Sequence, residues 1–289
     1  PDCAKKFGQG EPLSKMEKVR LIELPLNSTL EDVVGGLDPR AQAHSRLRLK
    51  RGILSRADRN LLYVDEVNLL DDHVVDLLLD SAALGVNIVE REGISFQHPA
   101  KFILIGTMNP EEGDLRPQLL DRFAFSVQIE GLIDTEQRVQ IMERRIAFEI
   151  DPDNFCIEWA SKEKQLSDQI SRGRKLVNDV RYNRRDLMSI AGLTSSFKID
   201  GHSADLVILL GAQAHAALNG REAINDHDIV LAAELALPHR IKGRLFQDTE
   251  INAYELEEQL EDVQSEISSG DMGELMEEEA GNETVKKKP

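Results

Sequence analysis

Apolar residues come in two rhythms along this chain. Up to about residue 130 they form short blocks: Val19–Leu24, Leu61–Val64, Phe102–Ile105 and Val127–Ile129. Blocks of this length between polar residues predict strands, and their near-continuous apolar character suits parallel strands covered on both faces. Val67, Leu70, Val74, Leu77, Leu78 and Ala82 recur at helical spacing and predict a helix over Val67–Ala83 with one packed face. The paired glycines in Val33-Val-Gly-Gly-Leu-Asp38 fit a bend or hairpin. From Asp134 onward the period becomes helical. Thr135–Glu149 carries Val139, Ile141, Met142, Ile146 and Phe148, and Ser161–Val180 and Tyr182–Phe197 are amphipathic. Ala204–Asn219 is Ala-rich and apolar enough to be buried, with Gly220 to end it, and Asp226–Pro238 follows with Asp226 as its cap. The pattern predicts an α/β core over residues 1–133, a small all-helical domain over 134–247 and a tail over 248–289.

The chemistry gathers where the strand blocks end. Leu61-Leu-Tyr-Val-Asp-Glu66 is an apolar strand that stops in two carboxylates. Open α/β sheets bind ligands at this edge. As a Walker B element, Asp65 would hold Mg²⁺ through its water shell and Glu66 would orient or deprotonate the water that attacks a γ-phosphate. A surface Asp-Glu pair that caps the following helix fits the same six residues. Lys101-Phe-Ile-Leu-Ile-Gly-Thr-Met-Asn109 repeats the design, a second strand that ends in a polar residue. Leu115-Arg-Pro-Gln-Leu-Leu-Asp-Arg-Phe123 then supplies Arg122, whose guanidinium stays charged and can fork onto phosphate oxygens, or can pair with a nearby acid. In order and spacing these three elements resemble the AAA+ ATPases. That resemblance implies that Asn109 is the sensor-1 residue, touching the water and the γ-phosphate, and that Arg122 is an arginine finger acting in trans across a subunit interface.

Longer stretches narrow the resemblance. Tyr63–Ala82, Val89–Pro99 and Asn109–Phe123 resemble the ATPase (I) subunit of magnesium chelatase, and the likeness runs from about Lys18 to about Leu245. It implies an AAA+ parallel-sheet domain of the P-loop type, incomplete at its N-terminus, whose sheet would have about five strands with the missing portion restored, followed by a helical lid. It also implies that Glu90-Arg-Glu-Gly-Ile-Ser95 is a hairpin facing the centre of a ring, with Gly93 supplying the positive φ of a tight turn. The implied activity is ATP hydrolysis with Mg²⁺ in a hexameric ring, driving insertion of Mg²⁺ into protoporphyrin IX. The implied partners are a D-type subunit, with an AAA+ and a von Willebrand A domain, and a large porphyrin-binding subunit. The ATPase itself would bind neither porphyrin nor the inserted metal. Two rivals share the motifs: a MoxR-like ATPase that remodels or loads metal into a protein partner, and a non-hydrolysing scaffold like the D subunit.

Two departures stand out. No Gly-x-x-x-x-Gly-Lys-Ser/Thr run exists to cradle phosphates. Gly8-Gln-Gly10 and Gly173-Arg-Lys175 lack its spacing. In the family this loop lies upstream of the part that Pro1 begins, so the sequence reads as a fragment that is inactive alone. Alignment of Asp200-Gly201 and Ala216–Arg221 with the family puts Ser203 where a sensor-2 Arg stands. Ser is a good helix cap but cannot pair with phosphate, and Arg181, Arg184 or Arg185 are candidate substitutes.

Composition changes the picture little. The chain has 289 residues and a net charge of −17, of which residues 251–289, with twelve acids and three lysines, carry −9. That tail reads as a solvated extension or as an acidic linker to a further domain. Acidic balance argues against a nucleic-acid grip, which needs a basic patch. There is no run of 18 apolar residues to span a membrane. Two cysteines, Cys3 and Cys156, give no disulfide framework and fit a reducing compartment, cytoplasm or plastid stroma. His98, His215, His227 and His239 lack metal-ligand spacing and are assigned to packing or surface.

Overall fold

The computed structural model describes residues 8–9, 17–37, 49–91, 94–113, 115–199, 201–241 and 254–265. The turn at Glu92-Gly93, Cys3 and the tail beyond residue 265 lie outside them. The chain divides into two compact units, Pro1–Arg122 and Phe123–Pro289.

The first unit is built on a three-stranded parallel sheet, β1 (Leu21–Leu24), β4 (Leu61–Val64) and β7 (Ile103–Gly106), with β4 in the middle. Leu61 pairs with Leu21 on one side and Ile103 on the other, and Val64 pairs with Leu24 and Gly106. Leu62 and Val64 are fully buried, so the alternate residues Tyr63 and Asp65 share the opposite face. Ahead of β4, α1 (Leu30–Val34) leads into β2 (Gly35–Leu37), antiparallel to β3 (Leu49–Arg51), and α2 (Ile53–Ala57) follows. The paired glycines therefore open a strand pairing. Gly35 sits at φ +91°, where a Cβ would lie 2.5 Å from the Lys50 carbonyl oxygen.

The helix expected over Val67–Ala83 is broken. A 3-10 turn covers Val67–Leu69, Leu70 is extended, and α3 runs from Asp72 to Leu84. The Asp71 carboxylate accepts from the His73 backbone N–H and restarts the chain as a helix. Such a local side-chain bond competes with a continuous ladder. α3 buries Val74, Val75, Leu78 and Leu79 and ends at Gly85, φ +68°. The antiparallel pair β5 (Val86–Arg91) and β6 (Ile94–Pro99) follows, longer than the short hairpin expected. A four-residue helix, α4 (Pro117–Leu120), completes the unit.

The second unit is helical: α5 (Thr135–Ile150), α6 (Pro152–Leu176), α7 (Arg184–Ser196), α8 (Ser203–Leu218), α9 (Asp226–Ala236) and a last helix over residues 254–265. Ile190, Leu193, Ile208, Ala212, Ala216, Ile229, Ala233, Leu237 and Leu256 form its core. Small alanines on α8 and α9 let the helices approach closely. Three local expectations are corrected. Val127–Ile129 is not a strand; the Ser126 backbone N–H donates to the Leu235 carbonyl, and Arg240 donates to the carbonyls of Phe123 and Ala124. Phe123, Ala124 and Ser126 are thus tied to the helical segment 235–240. Asn225, not Asp226, caps α9, in a box with Asp228. His202 stands at the cap of α8, leaving Ser203 as its first helical residue. Gly220, at φ +72°, follows the end of α8 as expected.

Candidate functional site

Parallel pairing carries the ends of β4 and β7 to one sheet edge, and the candidate chemistry collects there. Asp65 Oδ1 accepts hydrogen bonds from Thr107 Oγ1 at 2.6 Å and from the Tyr63 hydroxyl at 3.0 Å. These donors, Thr107 first and Tyr63 second, hold the Asp65 carboxyl below the usual carboxylate range. A backbone hydrogen bond from Glu66 acts in the same direction. A charged carboxylate at this edge suits the water shell of Mg²⁺, a hard cation that keeps several waters.

Glu66 sits in the left-handed region, at φ +51° and ψ +55°. Backbone of this kind costs a non-glycine residue about 1–3 kcal/mol and persists only where neighbours enforce it. The enforcing neighbour is Thr107. Glu66 N–H donates to Thr107 Oγ1 at 3.2 Å, Val67 N–H donates to the Thr107 carbonyl at 2.8 Å, and Thr107 N–H donates to the Val64 carbonyl at 3.0 Å. Thr107 thus grips both acids at once. It escaped the sequence reading, as did Tyr63. The available signals were position alone: Tyr63 lies two residues before Asp65 on the same strand face, and Thr107 lies two before Asn109.

Asn109 follows β7 at the same edge. Its side-chain oxygen accepts from the Glu111 N–H at 3.2 Å and caps the 3-10 turn Pro110–Glu112. Asn68 Nδ2 donates to the carbonyls of Asn109 and Gly113, at 3.4 and 3.0 Å, and ties this loop to the turn after Glu66.

Arg122 is placed differently. Its Nη1 pairs with Asp80 at 2.7 Å and Asp76 at 3.4 Å, both on α3. No hydrogen bond or ion pair joins it to Asp65, Glu66 or Asn109 among the described residues. Within one chain, therefore, Asp65, Glu66 and Asn109 share an edge and Arg122 does not.

In the second unit Ser203 has no charge to offer. Of its candidate substitutes, Arg181 pairs loosely with Glu222 at 3.7 Å, Arg185 donates to Gln264 at 2.8 Å, and Arg184 opens α7. The histidines have structural partners: His215 to Asp228 at 2.5 Å with its ring against His227, His239 to the Phe123 carbonyl, and His98 to Asn87 and the Pro99 carbonyl. No cluster of three metal-ligating side chains occurs among the described residues, and none of their helices is long and apolar enough to cross a membrane.

Comparison with known proteins decides the family. The model of magnesium chelatase subunit ChlI matches residues 39–131, and the AAA lid domain matches residues 187–263. A magnesium-chelatase subunit ChlI homolog of Methanocaldococcus jannaschii is 40% identical over 265 residues, covering 91% of this chain and 73% of that protein. The chain belongs to the magnesium chelatase ChlI family. Another relative, an uncharacterized protein of Mycobacterium tuberculosis, is 48% identical over 241 residues; the match covers 83% of this chain but only 38% of that protein. A crystal structure of a Cytophaga hutchinsonii protein superposes with a TM-score of 0.55 at 20% identity, over 76% of this chain and 69% of the other. It shares the fold. The fold is thus an α/β AAA+ domain followed by a helical lid, as the ChlI resemblance implied.

Proposed function

We propose that this ChlI-family chain is part of the ATP-hydrolysing motor subunit of a metal chelatase. The observation that carries the reading is the Thr107 clasp, which keeps Asp65 charged and holds Glu66 in a strained backbone beside it. As a helix-capping pair the two acids would need neither feature. Asp65 would bind the hydrated magnesium of Mg-ATP through its carboxylate. The magnesium, when bound, neutralises charge developing on the phosphates. Glu66 orients the attacking water and takes its proton. Asn109 would release Glu111 and turn its amide to the water and the γ-phosphate. Arg122 would serve the nucleotide of a neighbouring subunit, in a ring of six.

The phosphate cradle is not encoded in this sequence, so the reading concerns the full-length protein. The ring's client would be a D-type subunit and, through it, the porphyrin-binding subunit that inserts Mg²⁺ into protoporphyrin IX, in cytoplasm or plastid stroma. Ser203, where an Arg is expected, favours a second reading, a scaffold without turnover. The deciding experiment is Glu66→Gln in the full-length protein. ATP binding should persist while turnover falls by roughly 10²- to 10⁴-fold, the usual yield of a general base. Turnover that survives the change removes Glu66 from its role. A wild-type protein that binds but never hydrolyses ATP supports the scaffold.

A further inference from the structure

Helix α3 carries Asp72, Asp76 and Asp80 four residues apart, so they line one stripe. The opposite face, with Val74, Val75, Leu78 and Leu79, is buried in the first unit. The stripe faces outward. Alongside it runs the segment 115–122, pinned by the buried Leu115, Leu119 and Leu120. Two of its arginines meet the stripe in order: Arg116 pairs with Asp72 at 2.5 Å, and Arg122 pairs with Asp80 at 2.7 Å and Asp76 at 3.4 Å.

Exposed ion pairs add little to stability, and all five side chains of this ladder are at least a third exposed. Their geometry is more informative than their strength. Both carboxylates approach the same guanidinium nitrogen, Nη1 of Arg122. Nε and Nη2 have no partner among the described residues. An arginine so held has one edge anchored and one edge presented. Its planar fork loses rotamer freedom before a phosphate arrives, which is what an arginine acting across an interface needs.

We infer that Asp80, assisted by Asp76, is a positioning residue for Arg122: it holds Nη1 so that the Nε–Nη2 edge meets the γ-phosphate of a nucleotide on a second copy of this chain. The inference rests on reading Arg122 as the inter-subunit arginine. It adds that the α3 stripe belongs to the hydrolytic machinery of the neighbour, although it touches no reacting atom.

The test is steady-state ATP hydrolysis by the full-length protein, with kcat, KM for Mg-ATP, ring size and melting temperature measured for each variant. Asp80→Asn should lower kcat roughly 10-fold to 100-fold, the scale of a misplaced catalytic contact, at unchanged KM and ring size. Adding Asp76→Asn should deepen the loss toward that of Arg122→Ala, and Asp80→Glu should restore most of the rate. Asp72→Asn, which breaks an ion pair of the same kind at Arg116, should leave kcat alone. In an Arg122→Ala background Asp80→Asn should have no further effect, because neighbouring residues acting as a unit are not additive. An unchanged or raised kcat in Asp80→Asn, beside a collapsed Arg122→Ala, overturns the positioning role and leaves the arginine reading intact. An undiminished kcat in Arg122→Ala overturns the arginine reading itself.

Discussion

Thr107 makes two hydrogen bonds of opposite sense from one hydroxyl, donating to Asp65 and accepting from the Glu66 N–H. Valine has the same shape and neither ability. Thr107→Val should therefore release Asp65 from its main donor, free Glu66 from its enforced backbone and cost about 1 kcal/mol of stability, the net value of an ordinary hydrogen bond. ATPase rate should fall further than that stability loss explains, and Thr107→Ser should keep most of it. Equal rates for the Val and Ser variants would show that the hydroxyl is idle. Legibility in the sequence divides along the same line. The placement of Asp65, Glu66 and Asn109 was readable because each stands where an apolar strand block gives way to polar residues. Thr107 and Tyr63 were not, because their roles depend on which strands are neighbours, and one-dimensional spacing does not state that.

Elements were legible where one force dominated. The apolar blocks at β1, β4 and β7 and the helical period of α5, α7, α8 and α9 located those segments to within a few residues, whereas α6, expected over Ser161–Val180, begins nine residues earlier at Pro152. Places where a side chain competes with the backbone were missed: the break at Leu70-Asp71 before α3, and the cap of α9 at Asn225. Val127–Ile129 shows the limit from the other side, since its alternating pattern has strand character but it pairs with no strand, and the preceding Ser126 N–H bonds to the Leu235 carbonyl. At the α8–α9 corner, the fully buried Asp228 carboxylate accepts a two-pronged bond from Arg221, a bond from His215 and the Asn225 N–H. Burial works against that charge, but Arg221, Asn225 and His215 outweigh it and keep the carboxyl below its ordinary range. A depressed carboxyl stabilises the fold above its unfolded value, about 3.9, and that contribution is lost as pH falls through the lower folded value. Asp228→Asn should cost about 3 kcal/mol at neutral pH, the scale for stranding a buried partner. It should also flatten the decline of the urea midpoint below pH ~4. An acid limb as steep as the parent's would place the titrating group elsewhere.

For the whole molecule, the question is how many copies make one working site. With Asp65, Glu66 and Asn109 on one edge and Arg122 turned to α3, a single chain would, on the proposed reading, hold the parts of two half-sites. Glu66→Gln and Arg122→Ala full-length proteins should each fail to hydrolyse ATP, yet regain activity when mixed. The mixture contains junctions where an intact Glu66 faces an intact Arg122. Failure to complement, with mixed rings shown by mass, would mean that Arg122 serves its own chain. The left-handed backbone at Glu66 reaches beyond any one assay. Glycine or asparagine would sit there with less strain, but neither offers a base, so with Glu66 in the proposed role folding and turnover would pull this position in opposite directions. Selection for hydrolysis would then have to be renewed at position 66 in every generation. In a lineage whose ring kept its shape but no longer needed ATP turnover, this acid would be among the first residues to drift, and the drift would make the protein sturdier.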